Sequence, residues 1–182
     1  MTWQLQQDYK GKFALIKAVL DKENCKNVLD IGCNAGAITN LFGDAGYFAV
    51  GIDRNVDCNG KHSKACIGEH KLDVKSVFDL PAFDAILLLS VLHQIVAENG
   101  DEYARNFVHS LLHRCQVLIV ELAGIKSKYG YTVNRFNDND CNDIQGFFKI
   151  WLGDSINCEF ISATKHNTIE EPHRYLFKLS VK

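Results

Sequence analysis

The 182-residue chain predicts a doubly wound α/β sheet, mostly parallel, with seven strands and a closing antiparallel hairpin. Three observations predict it. Segments with strand and helix patterns alternate through most of the chain, as they do in parallel βαβ units. Two runs, Phe83–Leu89 and Val117–Leu122, are almost continuously apolar, which suits strands covered by helices on both faces. The stretch VLDIGCNAG, residues 28–36, reads as a strand that enters a glycine-marked turn ahead of a helix.

Each element follows in order. Leu5, Tyr9, Phe13, Ile16 and Leu20 keep helical spacing, so residues 3–21 are expected to be mostly helix, weakened at Gly11. A strand at Val28–Ile31, a helix at Gly36–Asp44 and a strand at Phe48–Ile52 come next. Residues 54–64 are polar and support at most a short helix, and Ala65–Leu72 is a weaker strand. After Phe83–Leu89, a helix over Asp101–Arg114 turns Phe107, Val108, Leu111 and Leu112 inward, and Val117–Leu122 forms the fifth strand. Ile144, Phe147, Phe148 and Trp151 stand at i, i+3, i+4 and i+7, which makes them the core face of an amphipathic helix rather than a stacking platform. Cys158–Ala163 and Tyr175–Val181 alternate apolar and polar residues, as expected of a hairpin at the sheet edge.

Composition narrows the class. A hydrophobic content of 47% suits one compact domain over residues 1–182. A net charge of -2 leaves no whole-chain footprint for nucleic acid. The seven cysteines are scattered without a Cys-x-x-Cys pair, which points to a reduced, cytoplasmic protein with neither a disulfide framework nor a zinc site. His109 and His113 are four apart on a helix but make an incomplete ligand set, so no metal is expected. The N-terminus has no basic region followed by an apolar run, and no run is long enough to span a bilayer.

In sheets of this type, ligands bind beyond the carboxyl ends of the strands. Gly32 and Gly36 let the turn bend sharply and approach a ligand. Asp53 ends the second strand, where an acid can take both ribose hydroxyls. Asp30 lies just before Gly32 and would repel a pyrophosphate, but it would attract an ammonium and a sulfonium. The choice therefore tilts from a nicotinamide dinucleotide toward S-adenosylmethionine. Asn34 tolerates the positive φ such a turn needs, and its amide is also suited to the cofactor's amino-acid end.

VLDIGCNAGAITNLF, VGIDRN and FDAILLLSVLHQI together resemble class I S-adenosylmethionine-dependent methyltransferases, a Rossmann-like family, over nearly the whole chain. The resemblance implies that Asp30, Gly32, Asn34 and Gly36 hold the methionine part, that Asp53 holds the ribose, and that Arg54 packs beside the adenine. Asp73 and Val74 match the adenine-contacting pair, and Glu69 competes for that role because the register of GEHKLDV is ambiguous. Ser90 is implied as the floor under the sulfonium. In this family an N-terminal helix often closes over the cofactor, which gives residues 1–21 the part of a lid and makes Tyr9 and Lys12 its cofactor-facing residues.

The loop after the fourth strand, LSVLHQI, lacks the Asn/Asp-Pro-Pro-Tyr pattern of base-amino methylases and carries His93. His93 is a candidate base for a hydroxyl acceptor or a residue that shapes the pocket. Glu121, at the end of the fifth strand, is a candidate to orient a donor or bind an acceptor hydroxyl. AILLLSVLHQI and QVLIVELAG are similar to the methyltransferase part of enzymes that cap a terminal phosphate on O-antigen chains. SKYGY, DIGCNAG and the tail EFISATKHNTIEEPHRYLFKLS are similar to methylphosphate capping enzymes of RNA 5′ ends. The chain has no counterpart of the kinase domain of the first group or the basic surface of the second. Both resemblances imply an oxygen acceptor: a terminal phosphate or hydroxyl of a glycan, or an RNA 5′ phosphate. For a phosphate, Lys126, Lys128, Tyr129, His166 and Arg174 are the candidate ligands. A module that binds the cofactor without catalysis is the alternative from another class.

Overall fold

The computed structural model describes residues 9–54, 65–70, 72–123, 141–164 and 174–182. Helix α1 (Tyr9–Lys22) leads to β1 (Asn27–Ile31), α2 (Ala37–Asp44), β2 (Phe48–Asp53) and the edge strand β3 (Ala65–Glu69). A 3-10 turn, Ser76–Asp79, precedes β4 (Phe83–Leu89), α3 (Leu92–Asn99), α4 (Asp101–Leu112) and β5 (Cys115–Ala123). Helix α5 (Cys141–Leu152) and the hairpin β6 (Ile156–Thr164) and β7 (Arg174–Val181) follow. The seven strands form one sheet in the order β3-β2-β1-β4-β5-β7-β6. β1 to β5 run parallel, and β7 is antiparallel to both β5 and β6.

The apolar strands divide their side chains between two cores, as the pleat requires. Ile86, Leu88, Leu118 and Val120 pack with Phe107, Leu111 and Phe148 from α4 and α5. Ala85, Leu87, Val117 and Ile119 pack on the other side with Ile16 and Leu20 of α1 and Ile38 and Phe42 of α2. Phe148 and Trp151 are buried in the first of these cores, and the Trp151 indole N–H reaches an Asp101 carboxylate oxygen at 3.2 Å. A reciprocal lock fixes the start of the central strand pair. The Asp84 carboxylate accepts from the N–H groups of Lys26 and Asn27 at 2.6 and 3.1 Å, and the Asn27 side-chain oxygen accepts from the Asp84 N–H at 2.7 Å.

Two expectations need correction. Residues 92–99 form a helix, α3, where the sequence suggests only a loop. Leu92, Ile95, Val96 and Asn99 do keep helical spacing, but over only eight residues, and Gly100 at φ 85° then breaks the run before α4. The third strand, at the edge of the sheet, ends at Glu69 instead of Leu72, and the His70 N–H makes one further bond to the Asp53 carbonyl of β2 at 2.8 Å. The first helix begins its described part at Tyr9, and residues 3–8 lie outside the described residues, as does the polar segment 55–64.

Candidate functional site

The carboxyl ends of β1, β2, β4 and β5 open into one cleft of about 460 Å³. The turn after β1 forms its near wall. Gly32 and Cys33 donate their N–H groups to the Ile52 carbonyl at 2.8 and 3.2 Å, and the Gly36 N–H closes onto the Cys33 carbonyl at 2.8 Å. The turn needs left-handed backbone at three positions: Gly32, Asn34 and Gly36 have φ of 76°, 51° and 76°. At Gly36 a Cβ would also lie 2.0 Å from Ile67 Cδ1. Asn34 can hold its φ because its short polar side chain tolerates this region, and its backbone N–H donates to Asp53 Oδ2 at 2.8 Å. The bond ties the turn to the acid at the end of β2.

Asp30 lines the cleft although it is only 2% exposed. The Thr39 hydroxyl of α2 donates to its Oδ2 at 2.7 Å. Burial raises the Asp30 pKa to about 6, against the Thr39 hydrogen bond and the positive charge of Lys12, which both lower it. A carboxylate held this way gains from any cation brought into the cleft.

A second cluster lies on the cleft floor. Lys12 reaches from α1 to Glu121 Oε1 at 2.5 Å, and both side chains are buried. The Ser90 hydroxyl donates to the other oxygen, Oε2. Ser90 itself has φ 58°, and its carbonyl accepts from the Gln94 side-chain amide at 3.1 Å. Tyr9 lines the same region, with its pKa raised by burial and by the charge of Glu121. Tyr9, Lys12, Ser90 and Glu121, proposed separately from sequence, therefore meet in one place.

His93 is 1% exposed in the first turn of α3 and is not among the residues that line the cleft. Its pKa falls to about 4, first through burial, then through the charge of Arg174, with Glu121 acting in the opposite sense. Arg174, the first residue of β7, is buried beside it and does not line the cleft either. Lys126, Lys128, Tyr129 and His166 lie outside the described residues.

On the opposite wall, Arg54 lines the cleft and forms a 2.7 Å ion pair with Glu98 of α3. Asp73 and Val74 do not line it. The Asp73 carboxylate is engaged instead by the N–H groups of Ser76 and Lys75 at 2.8 and 2.9 Å, where it caps the 3-10 turn and its pKa is lowered. Val74 packs against the core, and Glu69 is paired in register with Asp53 at the sheet edge. His70 and Leu72 line the cleft in their place. The sequence reading also missed Gln94, Ile95, Glu98 and Asn99, all lining residues of α3, together with Tyr103 and Phe107 of α4. The helical spacing that ends at Gly100 is the signal that would have found the α3 set. Among the described residues no group of three or more potential metal ligands occurs, and no helix is long and apolar enough to cross a membrane.

No protein-family model and no curated protein sequence matches the chain. Solved structures do. WbdD, a bifunctional kinase-methyltransferase, superposes with a TM-score of 0.69 at 20% identity over 94% of this chain, which spans 40% of the length of WbdD. Magnesium protoporphyrin IX methyltransferase (ChlM) from Synechocystis PCC 6803, solved with bound SAH, gives a TM-score of 0.59 at 17% identity and covers 96% of this chain and 83% of its own. The methyltransferase domain of bacterial CtHen1 gives 0.62 at 14% identity, over 93% of this chain and 96% of that domain. The chain thus has the fold of class I S-adenosylmethionine-dependent methyltransferases, seven strands and antiparallel hairpin included.

Proposed function

We propose that this protein is an S-adenosylmethionine-dependent O-methyltransferase that acts on a terminal phosphate or hydroxyl of a glycan or glycan precursor. One observation carries the cofactor assignment: Asp30, a carboxylate buried at the end of the first strand, opens onto the cleft instead of the core. Such a group disfavours a pyrophosphate and favours a cationic ligand. The acid inventory fits the cofactor as well. Asp30 and the Gly32–Gly36 turn would hold its amino-acid end, Asp53 its ribose hydroxyls, and the wall with Arg54, His70 and Leu72 its base. When bound, S-adenosylmethionine supplies an electrophilic methyl group on a sulfonium.

The chain's own residues do the rest. Asn34 fixes the turn against Asp53, so the ribose acid is oriented in advance. Lys12 and Tyr9 bring α1 over the floor and reduce access of water to it. Glu121, fixed through both oxygens, is a rigid acceptor for a proton or a hydroxyl. Positioning of this kind supplies much of the acceleration in methyl transfer. His93, neutral over most of the pH range at a pKa near 4, serves by orienting the floor with Arg174 rather than by titrating near neutrality. The acceptor class rests on the similarity of AILLLSVLHQI and QVLIVELAG to phosphate-capping methyltransferases.

The test is calorimetry with S-adenosylmethionine, S-adenosylhomocysteine and nicotinamide dinucleotide, followed by transfer of labelled methyl to phosphorylated glycans and 5′-phosphorylated RNA. Binding of the sulfonium compound with label in the glycan supports the reading. Binding of the dinucleotide alone overturns it, label in RNA alone moves the acceptor, and cofactor binding without transfer to any acceptor leaves a binding module.

A further inference from the structure

Building on the methyltransferase reading, we infer that the acceptor's reacting group is an uncharged hydroxyl rather than a phosphate oxygen, and that Glu121 receives it. The charges of the described cleft wall lead there. Four acids line it, Asp30, Asp53, Glu98 and Glu121, against two cations of fixed charge, Lys12 and Arg54. Each of these cations is held by one of the acids: Lys12 by Glu121 at 2.5 Å and Arg54 by Glu98 at 2.7 Å. Arg174, the one described member of the expected phosphate-binding set, is buried off the wall beside His93. A phosphate would have to pull Lys12 from a buried carboxylate and then sit against that carboxylate, the reverse of what anion sites provide.

A hydroxyl meets the opposite situation. An ionised carboxylate has about four lone-pair sites, and among the described residues Lys12 and Ser90 take one on each oxygen of Glu121, which leaves further sites for an acceptor O–H. In the step, a lone pair of the hydroxyl oxygen forms the new O–CH3 bond. The S–CH3 bond breaks with its electron pair left on sulfur, so the sulfonium becomes a thioether. The hydroxyl proton passes to Glu121. Glu121 is then a catalytic residue, and Lys12 and Ser90 are positioning residues that hold its carboxylate in place.

The test needs no knowledge of the acceptor's sugar. The protein is loaded with S-adenosylhomocysteine and titrated calorimetrically with inorganic phosphate. The wild type is expected to bind it only weakly, with a Kd above about 10 mM. Glu121→Gln releases Lys12 and is expected to tighten phosphate binding at least about tenfold, and the double variant Lys12→Met/Glu121→Gln loses that gain. A wild-type Kd below about 1 mM, or no gain in Glu121→Gln, overturns the inference. If Glu121→Gln does not fold, the wild-type titration decides by the same thresholds. Failure to bind S-adenosylhomocysteine at the loading step would instead overturn the methyltransferase reading on which the inference rests.

Discussion

Burying Asp30 among Thr39, Lys12 and Asp53 raises its pKa from 3.8 to about 6, so in the ligand-free protein its charge is a cost of folding. A carboxylate with a raised native pKa contributes most stability below its unfolded value and loses it as pH rises through the native one. At pH 7 that loss is complete. Asp30→Asn is therefore expected to stabilise the ligand-free protein, by on the order of 2 kcal/mol, while weakening S-adenosylmethionine binding by more than about tenfold. Urea unfolding and calorimetry on the same variant check both halves. In the wild type, affinity for the sulfonium compound should fall as pH drops below about 6, where Asp30 takes up a proton.

Among the elements, α1 reaches the site with Tyr9 in the cleft lining and with the buried ion pair of Lys12 and Glu121. Removing one partner strands the other charge in a poorly hydrated place, so Lys12→Met and Glu121→Gln alone are each expected to cost about 3–5 kcal/mol. The double variant should cost less than either, and denaturant midpoints in a double-mutant cycle would show the coupling. The elements also mark where sequence reasoning succeeded. β4, β5 and α5 were legible because their apolar patterns are long and bounded by polar residues. Helix α3 was not, because eight residues give little periodicity and its Gln94 and Glu98 face a cleft instead of a core. The local bonding of Asp73 was not legible for a related reason. Its side chain satisfies backbone donors of a 3-10 turn, and no one-dimensional pattern separates that from a ligand contact.

For the molecule as a whole, two buried groups give opposite responses to acid. The His93 pKa drops from 6.5 to about 4, so its contribution is present above the unfolded value and is lost as pH falls toward the native one. Asp30 gains stability over nearly the same interval. Between pH about 4 and about 6 the two slopes are expected to offset each other. Asp30→Asn should then lose stability on acidification, and His93→Asn should gain it, when unfolding free energies are measured across that range. The architecture and the Asp30–Asp53 pair could be read from sequence because strand order and the turn after β1 follow local rules. The convergence of Tyr9, Lys12, Ser90 and Glu121 depends on three distant segments and appears only when the sheet is assembled.

The position of β7 between β5 and β6 also orders events in time. A ribosome makes β6 first, yet β6 finds no neighbour in the sheet until β7 has emerged and aligned against β5. The flank of β5 therefore has no partner until β7, the last of the seven described strands, slots into place.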